Sequence, residues 1–219
     1  KSGALQEMGD FVRIWLRHPS KQRLTMTRVQ TILHHHLQLS KPHRTSFHLL
    51  LLAFLTCPHR HNLTQLAPFA SRSRRSLSRL SQKPFPYQDF NSNLLRETLA
   101  NRPVIAALDC SFLRKAGKHT DQLGQFYSGA DACAKRGLEL CSLALCTLDH
   151  PTAYSLACVQ TPDEPESGTR MDFYAKFVVE NAQHIEKFTK ILVCDGGFAR
   201  ETIISEVTTK TNLNIVTKL

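Results

Sequence analysis

The 219 residues, 42% of them apolar, are enough to bury one large core or two small ones, which excludes a disordered chain. The longest apolar run, Leu49 to Leu55, is far too short to cross a bilayer, and no signal-peptide pattern opens the chain. Net charge is +10, but unevenly placed: residues 1–103 hold 16 Lys and Arg against 4 Asp and Glu, a balance of +12, while residues 104–219 hold 12 against 14, a balance of −2. A basic half joined to a slightly acidic half suggests one part that grips a polyanion, nucleic acid first, and another that holds a metal; a solvated basic surface is the simpler alternative. Seven cysteines, odd in number and without a C-x-x-C pair, read as reduced intracellular core residues rather than as a zinc site.

In chain order, residues 1–40 carry helical periodicity in two clusters, Phe11, Ile14, Trp15 and Leu16, then Val29, Ile32, Leu33 and Leu37. His34, His35 and His36 fall in the second helix and point in three directions, so they read as a solvated face or backbone-phosphate contacts. Phe47 to Leu55 predicts a buried helix. Asn62, with Gln65 at the capping-box position, predicts the start of a second, whose apolar face is Leu63, Leu66 and Phe69. A third helix, roughly Ser73 to Gln82, buries Leu77 and Leu80 and turns Arg72, Arg74, Arg75, Ser78 and Arg79 outward. That is the layout of a helix-turn-helix recognition helix over about residues 45–82, although a structural helix with a solvated arginine face has the same pattern. Lys83-Pro84-Phe85-Pro86 breaks the helix. A short helix Asn93 to Ala100 then leads to Arg102-Pro103, where we place the boundary between residues 1–102 and 103–219.

From Val104 the expected order is strand, loop, strand, strand, helix, strand, helix, strand. Val104 to Leu108 is an apolar run that releases Asp109; Ser111 to Lys135 reads as a polar, substrate-facing loop, basic near Arg114, Lys115, Lys118 and His119. Gly137 to Thr147 and Ala153 to Gln160 form a hairpin, and Thr169 with Asp172 caps a helix that buries Phe173, Phe177, Ile185 and Phe188. Ile191 to Cys194 releases a second aspartate, Asp195, before Gly196-Gly197. A helix near Arg200 to Thr208 and a strand Leu213 to Leu219 complete the chain. Taken singly, each aspartate is first a cap for the turn or helix that follows it. Taken together, two strands of one sheet that each end on an aspartate bring two carboxylates to one edge, which is how a magnesium site for phosphate chemistry is built.

A first Asp on a central strand, an antiparallel hairpin, a crossover helix and a second Asp on a parallel neighbour is the order of the RNase H-like fold. The expected class is therefore α/β: a helical N-terminal region followed by a partial RNase H-like mixed sheet. LDCSFLRKAGKH around Asp109, YSG followed by GLELCSLALCTL, VCDGGFARE around Asp195 and the final NIVTKL resemble transposases of the DDE superfamily, in the insertion-sequence-four-like branch of bacterial cut-and-paste enzymes. The resemblance covers residues 104–219 well and residues 45–100 more loosely. It implies that Asp109 and Asp195 are catalytic ligands of two Mg2+ ions, with Mn2+ as a substitute. It further implies cleavage of transposon-end DNA with strand transfer into a target, and a cytoplasmic, nucleoid-associated homodimer when full length. Lys115, Lys118, His119 and Arg136 would contact DNA. The family's third ligand is a glutamate on a helix after the last strand; Glu201 and Glu206 come before that strand, so the third carboxylate is expected to be missing. The expectation is then of a truncated chain, inactive alone. A non-catalytic DNA-binding remnant and another RNase H-like nuclease stand as alternatives.

Overall fold

The computed structural model describes residues 27–218, apart from 116, 118, 119 and 167. The expected helix with Phe11, Ile14, Trp15 and Leu16 therefore lies outside the described residues, as do the side chains of Lys118 and His119. Within them the protein is a mixed α/β molecule with a six-stranded mixed sheet. It divides into two compact units, residues 1–94 and residues 95–219.

The first unit is helical. A turn over residues 27–31 runs into a π-helical stretch, Ile32–His36. Val29, Ile32, Leu33 and Leu37 bury their side chains against Phe47 and Phe90, while His34, His35 and His36 are exposed. Helix α1 (Lys41–Thr56) begins with Pro42 in its first turn, where a missing N–H costs nothing, so it starts six residues before the apolar run suggests. Helix α2 (Leu63–Phe69) is capped as expected: the Asn62 side chain accepts from the N–H groups of Thr64 (3.1 Å) and Gln65 (3.0 Å). Helix α3 (Arg74–Ser81) is capped by Ser73, which accepts from Ser76 N at 3.2 Å. Ala53, Cys57, Leu66, Ala70 and Leu77 form the common core of α1 to α3. Helix α4 (Tyr87–Thr98) starts six residues before the expected Asn93, directly after Pro86.

In the second unit, Leu95 and Leu99 join the core of the sheet. The strands are β1 (Val104–Arg114), β2 (Gly124–Ser128), β3 (Cys133–Thr147), β4 (Ala153–Gln160), β5 (Ile191–Cys194) and β6 (Asn214–Thr217). Helix α5 (Arg170–Ile185) lies between β4 and β5, and α6 (Glu201–Lys210) between β5 and β6. β1 is central: antiparallel to β3 on one side, parallel to β5 on the other, with β6 parallel beyond. β2 and β4 both pair with β3, at successive stretches of it.

One expectation fails here. Residues 111–135 are not a loop, because β1 runs on to Arg114 and β2 and the start of β3 extend the antiparallel ladder. Backbone pairing carries this extension where apolar alternation is lacking: β2 buries Gly124, Phe126 and Ser128, so only one of its inward residues is large and apolar. Gly137 permits the close approach of β1, since a Cβ there would come within 2.4 Å of the Phe112 ring. The capping box of α5 forms as expected, with the Thr169 N–H and hydroxyl both donating to Asp172 (2.6 and 2.8 Å) and the Thr169 hydroxyl accepting from Asp172 N.

Burial alternates along the strands. Ala106 and Leu108 of β1, Leu143 and Leu145 of β3, and Leu192 and Cys194 of β5 are buried with Val178, Ile185, Ile203 and Val207 of α5 and α6. Residues of the opposite phase, among them Ala107, Asp109, Ala144 and Val193, are half-buried or exposed. Among the described residues no helix is long and apolar enough to cross a membrane.

Candidate carboxylate site and nucleic-acid contacts

β1 and β5 pair in parallel with Leu108 beside Cys194. The next residue on each chain is an aspartate, so the register, continued by one position, sets Asp109 beside Asp195. Leu108 and Cys194 are buried, hence the aspartates fall on the opposite, open face, where both are exposed. Asp195 keeps the extended backbone (φ −73°, ψ 172°), which preserves that alternation past the end of β5. Neighbouring strands lie about 4.8 Å apart, close enough for two facing carboxylates to share one hard cation at about 2.1 Å per oxygen.

The two aspartates are held differently. Asp195 Oδ1 accepts from Gly197 N at 2.9 Å, and its carbonyl accepts from the Thr217 hydroxyl at 2.9 Å, so the turn and β6 both fix it. Capping and ligation are compatible here, because Oδ2 has no hydrogen-bond partner among the described residues. A Cβ at Gly197 would lie 3.0 Å from Asp195 Oδ1, a tight contact that would push on the carboxylate. Asp109 makes no hydrogen bond or ion pair among the described residues, and its cross-strand neighbour is Ser142, whose hydroxyl donates to Cys158 Sγ at 3.4 Å. Beneath Asp195, burial pushes the Cys194 thiol above its ordinary range, and the Asp195 charge adds to the effect. Carboxylate oxygens at an exposed position suit Mg2+ or Mn2+, and these two residues would hold it.

A third acidic ligand is not grouped with them: among the described residues no cluster of three His, Cys, Asp or Glu side chains could hold a metal. Glu206 is engaged with Lys210 one turn along α6, and Glu201 sits in the first turn of that helix.

No protein-family model matches the chain, and no curated protein sequence matches it. Geometry and chemistry alone therefore carry the functional reading.

The expected DNA contacts fall into two sets. In the first unit Arg72, Arg74, Arg75 and Arg79 are exposed at and along α3, while Leu77 and Leu80 are buried; Ser78 is half-buried rather than fully outward. In the second unit Lys115 and Arg136 are exposed. Arg136 is on β3 in the same phase as Ser142, hence on the face of Asp109, six residues or about 20 Å further along the strand. It lines up with the carboxylates without touching them.

The unanticipated polar feature lies on the buried face. Glu139 is 9% exposed, pairs with Phe112 across the ladder and accepts a 2.5 Å hydrogen bond from the Tyr174 hydroxyl. Burial, reinforced by this bond, pushes the Tyr174 hydroxyl well above its ordinary range. Cys110 and Cys141, directly opposed on β1 and β3, lie beside them; the contact with Cys141, followed by burial, pushes the Cys110 thiol far up. The strand phase shared by Gly137, Glu139, Cys141, Leu143 and Leu145 is the signal that could have found this inward glutamate.

Proposed function

We propose that this chain belongs to a DDE-type DNA transposase and contributes the first two carboxylates of its metal site together with a DNA-binding helical region. The observation that carries the reading is the parallel β1–β5 register, which ends with Leu108 beside Cys194, one residue before Asp109 and Asp195. The strand order supports it: read as β4-β3-β1-β5-β6, three antiparallel strands followed by two parallel ones match the RNase H-like arrangement expected from the sequence. A divalent ion bound there supplies charge neutralisation at a DNA phosphate. The chain's own contribution is to aim two carboxylates at that ion from a rigid sheet and to hold the phosphate backbone with arginines.

In the first unit, α1 to α3 serve as the helix-turn-helix, with α3 as the recognition helix. The Ser73 cap and a core shared with α1 and α2 fix α3, and its exposed arginines face outward.

The experiment is a salt-dependent DNA-binding titration by fluorescence anisotropy. Wild-type chain should bind duplex DNA with affinity that falls steeply with salt, and Arg75→Ala should weaken it while reducing the log–log salt slope by about one. Asp109→Asn should bind duplex DNA at least as well as wild type. A wild-type chain that binds no DNA at low salt would overturn the proposal.

A further inference from the structure

The open face of the sheet extends well beyond the two aspartates. Along β1 it continues through Ser111 and Leu113, the latter 44% exposed, and along β3 through Leu140, Leu138 and Arg136. On β2 the same phase carries Gln125, opposite Arg136, and Tyr127, opposite Ala134. Tyr127 is 64% exposed. It is diagonal to Arg136 across the β2–β3 pair, a spacing of roughly 7–8 Å that long side chains bridge.

Burying half of a large aromatic ring normally offsets the cost of ordering it; Tyr127 is left in water on an edge strand that is nonetheless firmly held. On the other face of β2, the Arg170 guanidinium lies 4.3 Å from the centre of the Phe126 ring, and Arg170 Nη1 donates to the Gln125 carbonyl at 2.9 Å. Arg170 also donates to Asp163. The platform that presents Tyr127 is thus fixed before any ligand arrives.

Arg136 is exposed on this face, and Lys115 is exposed just past the end of β1; Arg114, also exposed, pairs with Gly137 and so falls in the opposite strand phase. Asp131, in the turn after β2, is engaged with Lys135 (2.6 Å) and the Ser128 hydroxyl (2.8 Å), both in the buried strand phase. Arg136 makes no ion pair among the described residues. An exposed aromatic ring beside an unpaired arginine, on a face that leads to two carboxylates, matches the chemistry that holds an unpaired nucleic-acid strand: base on ring, phosphate on guanidinium.

We propose that the open sheet face is a track for an unpaired DNA strand, on which Tyr127 stacks a base and Arg136 holds the adjoining phosphate, about 20 to 27 Å from Asp109. This rests on the DNA-processing reading above. It adds that DNA is engaged with one strand free of its partner, and it assigns a binding role to Tyr127.

The test titrates the 219-residue chain into a fluorescein-labelled DNA duplex that is blunt or carries a single-stranded DNA or RNA tail, read by anisotropy at fixed salt. The tail should tighten binding. Tyr127→Ala should remove most of that gain, weakening tailed-DNA binding about five- to a hundred-fold while blunt-duplex binding is unchanged. Tyr127→Phe and Tyr127→Trp, which keep a stacking face, should retain it. Equal binding of tailed and blunt DNA by wild type overturns the track and leaves the duplex-binding proposal standing. Tyr127→Ala losing nothing, or losing both substrates alike, overturns the stacking role. Preference for an RNA tail over DNA overturns the assignment of the strand as DNA, and no binding to any of them overturns both proposals.

Discussion

Glu139 and Asp109 lie three residues apart across one ladder, with opposite needs. Glu139 is buried and has one strong partner, the Tyr174 hydroxyl; Asp109 is exposed and has none among the described residues. A buried carboxyl that loses its donor bears the desolvation cost alone, whereas an exposed carboxylate without a partner is satisfied by water and remains available to a cation. Tyr174→Phe should therefore destabilise the second unit by about 1–3 kcal/mol, measured as a shift in denaturant midpoint at constant slope. A variant as stable as wild type would mean that the 2.5 Å bond contributes no net stability. Asp109 and Asp195 were legible from the sequence because each ends an apolar run. Glu139 was not, because a lone acid within a Leu- and Cys-rich strand marks itself only through its phase, and Tyr174 reaches it from 35 residues away.

At the scale of elements, the α5 capping box sets a pH dependence. Asp172 is held below the ordinary aspartate value, first by the Thr169 backbone N–H and then by its hydroxyl, and Asp131 is held low first by Lys135 and then by Ser128. A carboxyl whose folded value lies below its unfolded one binds fewer protons when folded, so its stabilisation is complete above the unfolded value of about 3.9 and is lost as pH falls below it. Thermal unfolding followed by circular dichroism should show the melting temperature falling as pH is lowered from about 5 toward 2. Asp172→Asn, which cannot titrate, should show a shallower fall; parallel curves would rule out this carboxyl as a contributor. The caps of α2 and α5 were readable because capping is local chemistry. The helix starts at Lys41 and Tyr87 were set by prolines rather than by periodicity, and β2 was hidden because its inward positions are a glycine, a phenylalanine and a serine. Its strand character comes from β3 and from Arg170 beneath it, contacts that no local pattern announces.

For the whole molecule, the account joins a basic helical unit to a sheet unit whose open face carries two aligned aspartates. The alternation of burial along β1, β3 and β5 determines which face those aspartates take, and the parallel pairing of β1 with β5 ends one residue before each of them. Both were anticipated in kind from two apolar runs that each end on Asp; the register itself, set by long-range pairing, was not. The most direct measurement is Mn2+ binding followed by electron paramagnetic resonance, with wild type, Asp109→Asn and Asp195→Asn titrated side by side. The account predicts weak but saturable binding by wild type, displaced by Mg2+ and lost in each single variant, because both carboxylates serve one ion. Binding that survives in both variants, or that never saturates in wild type, would contradict it.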